Sequence, residues 1–303
     1  MQSRPVGYIG RFAPSPTGPL HFGSLVAAAG SYFDARSNNG RWLLRIEDVD
    51  RPRTVAGAAE SILAGLEHFG FEWDGEIVRQ SRRDEAYAAA FERLELDGHA
   101  FPCACSRREI ADSSLARDGS RVYPGTCRKG LPPGRDARAW RVRVKDTVDF
   151  EDAVQGAQRE NLETELGDFV ILRADGLYAY QLAVVVDDFD AGVTHVVRGA
   201  DLLDSTARQI YLQGLLGYPT PAYAHLPIAS NAAGEKLSKQ THAPEIDGSR
   251  PQSALLAAIS FLGQNPPEAL ADASLTEIHR WGIDNWSLAQ VPRRRMMQAP
   301  DGY

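Results

Sequence analysis

Three short stretches of this 303-residue chain carry side chains suited to chemistry. The first is "RFAPSPTGPLHFGS", in which prolines at 14, 16 and 19 fix φ and remove donors, while Gly18 and Gly23 permit close approach of a ligand. Its turn ends on His21, in what reads as a first helical turn, where backbone N–H groups and an imidazole can meet a phosphate. The second is "GEKLSKQ", residues 234–240, in which Lys236 and Lys239 flank a serine on a loop. Two ammonium groups so placed can follow charge developing on a transferring phosphoryl group. The third is the set Cys103, Cys105 and Cys127, an odd number that argues against a disulfide framework and for free thiols or metal ligands. A structural zinc takes four ligands, and chemistry alone nominates His99 as the fourth. Each stretch also has a plainer reading: an incidental polar residue at a helix start, an ordinary surface loop, three thiols without metal.

The elements that must position these residues follow from periodicity. "VGYIGRF" reads as a short apolar strand, followed after the proline-rich turn by a helix with Leu25, Ala28, Tyr32 and Phe33 at helical spacing. "RWLLRI" is a second strand; Thr54 is placed to cap a helix whose Ala58, Ile62, Leu66 and Phe69 share a face, and Gly70 stops it. Strand, helix, strand, helix is the rhythm of a parallel sheet with crossover helices. After a helix holding Tyr87, Phe91 and Leu94, a stretch rich in Cys, Arg, Gly and Pro breaks the rhythm. "WRVRVK" then alternates, which predicts a half-buried strand with Arg141, Arg143 and Lys145 on its outer face. "DFVILR" and "LYAYQL" read as a hairpin across Ala174-Asp175-Gly176. "AVVVDD", "VTHVVR", a helix from about Ser205 to Leu216 and the strand "YAHLPI" restore α/β character, and the tail from Gln252 is helix-like. The fold class is therefore α/β, a parallel sheet split by an insertion.

The bulk numbers fit an ordinary globular protein, with 43% hydrophobic and 24% charged residues. No apolar run near the start makes a signal peptide and none is long enough to span a bilayer, so a cytoplasmic protein without membrane association is expected. The net charge of −7 argues against nucleic-acid binding, but residues 101–145 carry +7, which leaves −14 elsewhere. A basic segment on an acidic body is a docking site for phosphates or a solvated surface.

Taken together and in this order, the motifs resemble those of the class I aminoacyl-tRNA synthetases. "HFGS" is similar to that family's His-Ile-Gly-His signature and "KLSKQ" to its Lys-Met-Ser-Lys-Ser loop, while "RFAPSPTGPLHFGS" with "RIEDVD" narrows the likeness to the glutamyl branch. The resemblance runs from about Gly7 to Gln240. Ser24 stands where the signature has its second His, so His21 carries that role alone, and Gln240 replaces the final Ser. The resemblance implies a Rossmann-like catalytic domain in two halves, residues 1–99 and 186–250. Between them it implies a zinc-containing acceptor-type insertion at 100–185, and after them a short helical segment at 251–303.

It further implies a ligase that forms an aminoacyl-adenylate. ATP, accompanied by Mg²⁺, would bind at His21, Gly23 and Lys239, and His21, Lys236 and Lys239 would stabilise the transition state. L-Glutamate would be held by Arg11 and Arg198 at its carboxylates and by Glu47 at its ammonium, with Ser15 and the backbone at Ala13 lining the pocket and Tyr180 closing one wall. In the shorter relatives the zinc ligands follow the pattern of Cys103, Cys105, Tyr123 and Cys127, which puts Tyr123 in place of His99. Only 63 residues follow Gln240, too few for an anticodon-reading region. That combination resembles truncated members of the branch that activate glutamate without tRNA and transfer it to the queuosine base in the anticodon stem-loop of tRNA(Asp). On that reading Arg141, Arg143 and Lys145 form part of the RNA track and the protein is a monomer. Two alternatives stay open: a short enzyme that charges the tRNA 3′ end, and a catalytically silent zinc- or RNA-binding paralog.

Overall fold

The computed structural model describes residues 7–116, 119–237, 246 and 248–303. The first part of the chain builds β1 (Ile9–Phe12), α1 (Phe22–Ser37), β2 (Arg41–Ile46), α2 (Ala58–His68), β3 (Val78–Arg79) and α3 (Asp84–Leu96). The middle part builds β4 (Ala100–Cys103), β5 (Ala139–Val142), β6 (Thr147–Asp152), β7 (Gly156–Asn161), β8 (Val170–Leu172) and α4 (Tyr180–Asp190). The last part builds β9 (His195–Gly199), α5 (Leu203–Leu216), β10 (Ala222–Leu226), β11 (Ile228–Ser230), α6 (Pro251–Phe261), α7 (Leu275–Asn285) and β12 (Met296–Gln298).

β1, β2 and β3 pair in parallel, and so do β9 and β10. Thr194 stitches the two groups together. Its backbone N donates to Ile9 O at 2.9 Å, and its hydroxyl accepts from Ile9 N at 2.8 Å, where a strand would ordinarily offer a carbonyl. The hairpin β6–β7 extends the sheet on the far side, joined to β10 by one parallel register pair, Tyr223 with Asp152. β4, β5 and β8 form a separate antiparallel sheet.

Helix α1 lies beneath the sheet and is buried on most sides. Phe22, Leu25, Phe33 and Ala35 are all nearly inaccessible, packed with Trp42 and Leu44 of β2 and Leu226 of β10. Burying each of Phe22, Leu25 and Phe33 is worth about 1.5–3 kcal/mol. α7 closes the other side: a Cβ on Gly282 would lie 2.5 Å from the Phe33 ring, so only glycine lets this helix approach. A capping box between Ser274 and Glu277 starts α7, and β12 runs parallel to β11, so the tail adds a strand as well as helices.

Three local expectations are corrected. Thr54 does not cap α2; the N-cap is Gly57 in the left-handed region, φ 76°, and Thr54 ends a 3₁₀ turn before it. "LYAYQL" is a hairpin arm only over its first half: Arg173 N donates to Leu177 O and Ala179 N to Ile171 O around the Leu172–Tyr178 bridge, but from Tyr180 the chain is helix α4, whose Leu182–Val186 run is buried on all faces. Arg141 does not face outward either: it is 8% exposed, its Nη1 donates to Asp168 O at 2.8 Å, and its guanidinium lies 4.0 Å over the Tyr123 ring. The cysteine-bearing segment covers that face at Arg141, while Arg143 beyond the strand is half-buried and Lys145 is exposed.

Candidate active site

A cavity of about 430 Å³ opens at the carboxyl ends of β1, β2, β9 and β10, where ligands sit in open parallel sheets. Arg11, Ala13, Ser15, His21, Gly23, Glu47, Tyr180, Arg198 and Lys236 all line it. Lys239, the remaining candidate for this site, lies outside the described residues.

His21 is the N-cap of α1, one residue before the predicted first turn, and its Nδ1 accepts from Ser24 N at 3.3 Å. Capping occupies that nitrogen and leaves Nε2 as the ring's other polar atom. Gly23 follows for a steric reason: a Cβ there would lie 3.2 Å from the His21 ring and 3.7 Å from Leu237 O, beside Lys236. Lys236 Nζ is paired with Asp201 Oδ2 at 2.5 Å at the cavity edge.

The charged groups beneath the cavity form one network. Asp188, from α4, accepts from Arg11 Nε at 3.3 Å and from Arg45 Nη1 at 2.6 Å; Arg45 Nη2 reaches Glu47 Oε1 at 3.1 Å. Buried charges survive only when paired in this way. Burial raises the pKa of Glu47, with Arg45 and Arg11 pulling the other way. Burial would also raise Asp188, but the two arginines outweigh it and hold its carboxyl below the usual range. Tyr180, at the start of α4, is kept protonated by burial and by Glu47. On the opposite wall, Arg198 Nε donates to His225 Nε2 at 3.0 Å and Nη2 donates to Thr206 Oγ1 at 2.9 Å.

Arg45, Asp188, Asp201, Asp152 and His225 were not singled out from the sequence. The one available signal was the pair Asp187-Asp188 closing an apolar run, since acids in such a place need cationic partners.

The cysteines converge. Their three Sγ atoms lie within 4.8 Å of one another, and the group that could hold a metal does not include His99. Instead the Tyr123 hydroxyl lies 3.4 Å from Cys103 Sγ and 3.6 Å from Cys105 Sγ, and it accepts from Cys127 N at 2.8 Å. Burial opposes ionisation of Cys103, but hydrogen bonds from Tyr123 and Arg141 outweigh it and favour the thiolate. Burial pushes the Tyr123 hydroxyl upward, so a metal would have to supply the charge that ionises it. Three thiols and one phenol on a shared centre fit a four-ligand zinc site. None of the four lines the cavity.

The fold is that of a class I synthetase: residues 9–268 match the family described as tRNA synthetases class I (E and Q), catalytic domain. The chain belongs to that family and is a ligase with an α/β fold built on a parallel sheet. It is 66% identical over 296 residues to a protein of Aromatoleum aromaticum named glutamyl-Q tRNA(Asp) synthetase, covering 98% of this chain and 94% of that one. A protein of Dechloromonas aromatica with the same name is 58% identical over 296 residues, covering 97% of this chain and 98% of that one. Among solved structures, a glutamate tRNA ligase from Elizabethkingia meningosepticum in complex with its amino acid is similar at 25% identity and TM-score 0.79. The likeness covers 97% of this chain and 67% of that one. Among the described residues no helix is long and apolar enough to cross a membrane.

Proposed function

We propose that the chain activates L-glutamate with ATP in the absence of tRNA and then transfers the glutamyl group to the queuosine base in the anticodon of tRNA(Asp). In the first step a glutamate α-carboxylate oxygen attacks the α-phosphorus, the bond to the β-phosphate breaks, and pyrophosphate leaves. In the second a hydroxyl of the modified base attacks the carbonyl carbon and AMP leaves. The observation that carries this reading is one cavity lined by two arginines, one buried glutamate and a histidine-capped helix start. Glutamate offers two carboxylates and one ammonium, which that set complements charge for charge.

Arg11 and Arg198 bind the carboxylates, Glu47 receives the ammonium, and Ala13, Ser15 and Tyr180 shape the wall. ATP lies over Gly23 with its phosphates toward His21, Lys236 and Lys239, and Mg²⁺ travels with it. Zinc, held by Cys103, Cys105, Tyr123 and Cys127, stiffens the inserted segment and takes no part in the adenylate chemistry. The choice of tRNA(Asp) and queuosine rests on the names of the relatives.

The test is glutamate-dependent ATP–pyrophosphate exchange without RNA, followed by glutamate transfer to tRNA(Asp) with and without queuosine. Exchange without RNA and transfer only to the modified tRNA are expected. Exchange only with tRNA(Glu) present would instead mark an enzyme that charges the 3′ end, and no exchange at all a silent paralog.

A pH dependence follows from Glu47. A carboxylate whose pKa is raised loses its charge at a higher pH than an ordinary glutamate, so binding of the ammonium weakens early on acidification. The KM for glutamate is expected to climb as pH falls, while the KM for ATP stays flat. In Glu47→Gln the KM should be raised at every pH, by roughly 10- to 100-fold for the loss of one charge-assisted hydrogen bond, and this acid limb should vanish. An unchanged limb in the variant would place the titration elsewhere.

A further inference from the structure

Behind Arg198 lies a chain of side chains that the binding scheme above does not use. His225, on β10, is fully buried, and Asp152, at the end of β6, is 1% exposed. Asp152 Oδ1 accepts from the backbone N of Val154, Gln155 and His225 at 3.1, 2.8 and 3.1 Å, and Oδ2 meets His225 Nδ1 at 2.5 Å. With the carboxylate as acceptor, Nδ1 must carry the proton, which leaves Nε2 as a lone pair. That lone pair receives Arg198 Nε–H at 3.0 Å and lies 3.2 Å from Thr206 Oγ1. Arg198 Nη2 is taken by Thr206 and by Leu202 O at 3.3 Å. Nη1 alone is buried with no partner among the described residues, in a side chain that lines the cavity. Two buried N–H donors without an acceptor are costly unless a ligand provides one.

We propose that Asp152 and His225 are a positioning pair for Arg198: the carboxylate fixes the imidazole tautomer, and the imidazole fixes the guanidinium so that Nη1 is reserved for a substrate carboxylate. The proposal rests on the reading of Arg198 as a carboxylate-binding residue. Two further features support it. Burial, outweighing the opposing hydrogen bond to Asp152, lowers His225 to about 4, so the ring is neutral at pH 7 and can accept. The hydrogen bonds from His225 and the backbone outweigh burial at Asp152 and keep it ionised. The pair also crosses between segments: Asp152 comes from the inserted hairpin and His225 from the parallel sheet.

The decisive variant is Asp152→Asn. It keeps the shape, and its carbonyl oxygen can still accept the three backbone N–H groups, but its NH₂ now faces Nδ1. The imidazole must move its proton to Nε2, where it opposes Arg198 Nε–H. Proton-detected ¹⁵N NMR of labelled histidine is expected to show His225 as the Nδ1–H tautomer in the native protein and as Nε2–H in the variant. In exchange assays without RNA, the variant should raise the KM for glutamate roughly 10- to 100-fold and leave the KM for ATP within about twofold. A native Nε2–H tautomer or imidazolium overturns the proposal, and so does a tautomer flip with unchanged KM for glutamate. If Asp152→Asn does not fold, His225→Gln, whose amide can donate and accept, should retain more glutamate affinity than His225→Leu; equal affinities overturn the proposal. A native protein with no glutamate-dependent exchange overturns the functional reading and this proposal with it, whereas normal exchange that is insensitive to Asp152 overturns this proposal alone.

Discussion

Arg198→Ala is expected to lower kcat/KM for glutamate in pyrophosphate exchange by roughly 10²- to 10⁴-fold, with the KM for ATP nearly unchanged. A guanidinium that meets a carboxylate with two N–H groups contributes about 1.5–3 kcal/mol per charge-assisted bond, and each 1.36 kcal/mol is a decade in rate. Arg198 is only 5% exposed, so its donors are held by the fold and their loss falls directly on the ligand they would meet. Arg198→Lys should fall between the two, since it keeps the charge but lacks the planar fork and leaves His225 Nε2 without its Nε–H. Thermal melting of each variant separates loss of binding from loss of fold. A glutamate dependence untouched in both would remove Arg198 from the substrate pocket.

The second large effect concerns the cysteines. Native protein is expected to carry one zinc per chain, and Cys103→Ser with Cys127→Ser is expected to carry none and to melt roughly 10 °C lower. Structural zinc in small peptides supplies about 10–16 kcal/mol of binding free energy. If only about 4 kcal/mol of that is realised here, at about 2–4 °C per kcal/mol the shift is of the size stated. Phe101, Cys103, Ala104, Tyr123 and Cys127 form a core cluster of their own, too small to hold its loops by burial alone. Exchange activity at low temperature should survive, because none of these residues lines the cavity. A metal-free native protein with the same melting temperature would refute the zinc assignment. Tyr123→Phe tests the fourth ligand: zinc content should fall while the ring still packs.

Legibility in the sequence followed the range of the interactions. β1, α1 and β2 could be read because their apolar residues recur at fixed spacing and are bounded by glycine or proline. Arg11, Ala13, Ser15, Glu47, Tyr180 and Arg198, which line the cavity, were reached through the family resemblance that the short motifs carry, whereas Asp201 lines it without any such signal. The start of helix α4, Tyr180–Leu182, falls inside the predicted hairpin arm because the turn before it is a real hairpin signal; the β-branched run Val184–Val186 is helical because burial on all faces overrides its preference. Arg141 was misread because alternation shows which residues share a face but not what covers the face; here a stacked Tyr123 ring does so. Asp152 and His225 stand 73 positions apart, with no local pattern to join them. Their pairing exists only once a hairpin docks on β10.

That docking also bears on modularity. The β6–β7 hairpin looks like a removable cassette, attached to β10 through a single register pair. The residue at its turn, Asp152 at the end of β6, nonetheless sends a carboxylate to a buried histidine of β10. A chimera that exchanges the inserted segment between relatives would therefore inherit one half of a buried acid–imidazole contact from each parent. The contact re-forms only where both parents carry the acid and the imidazole at these positions, so the boundary of a transplantable unit runs through the sheet.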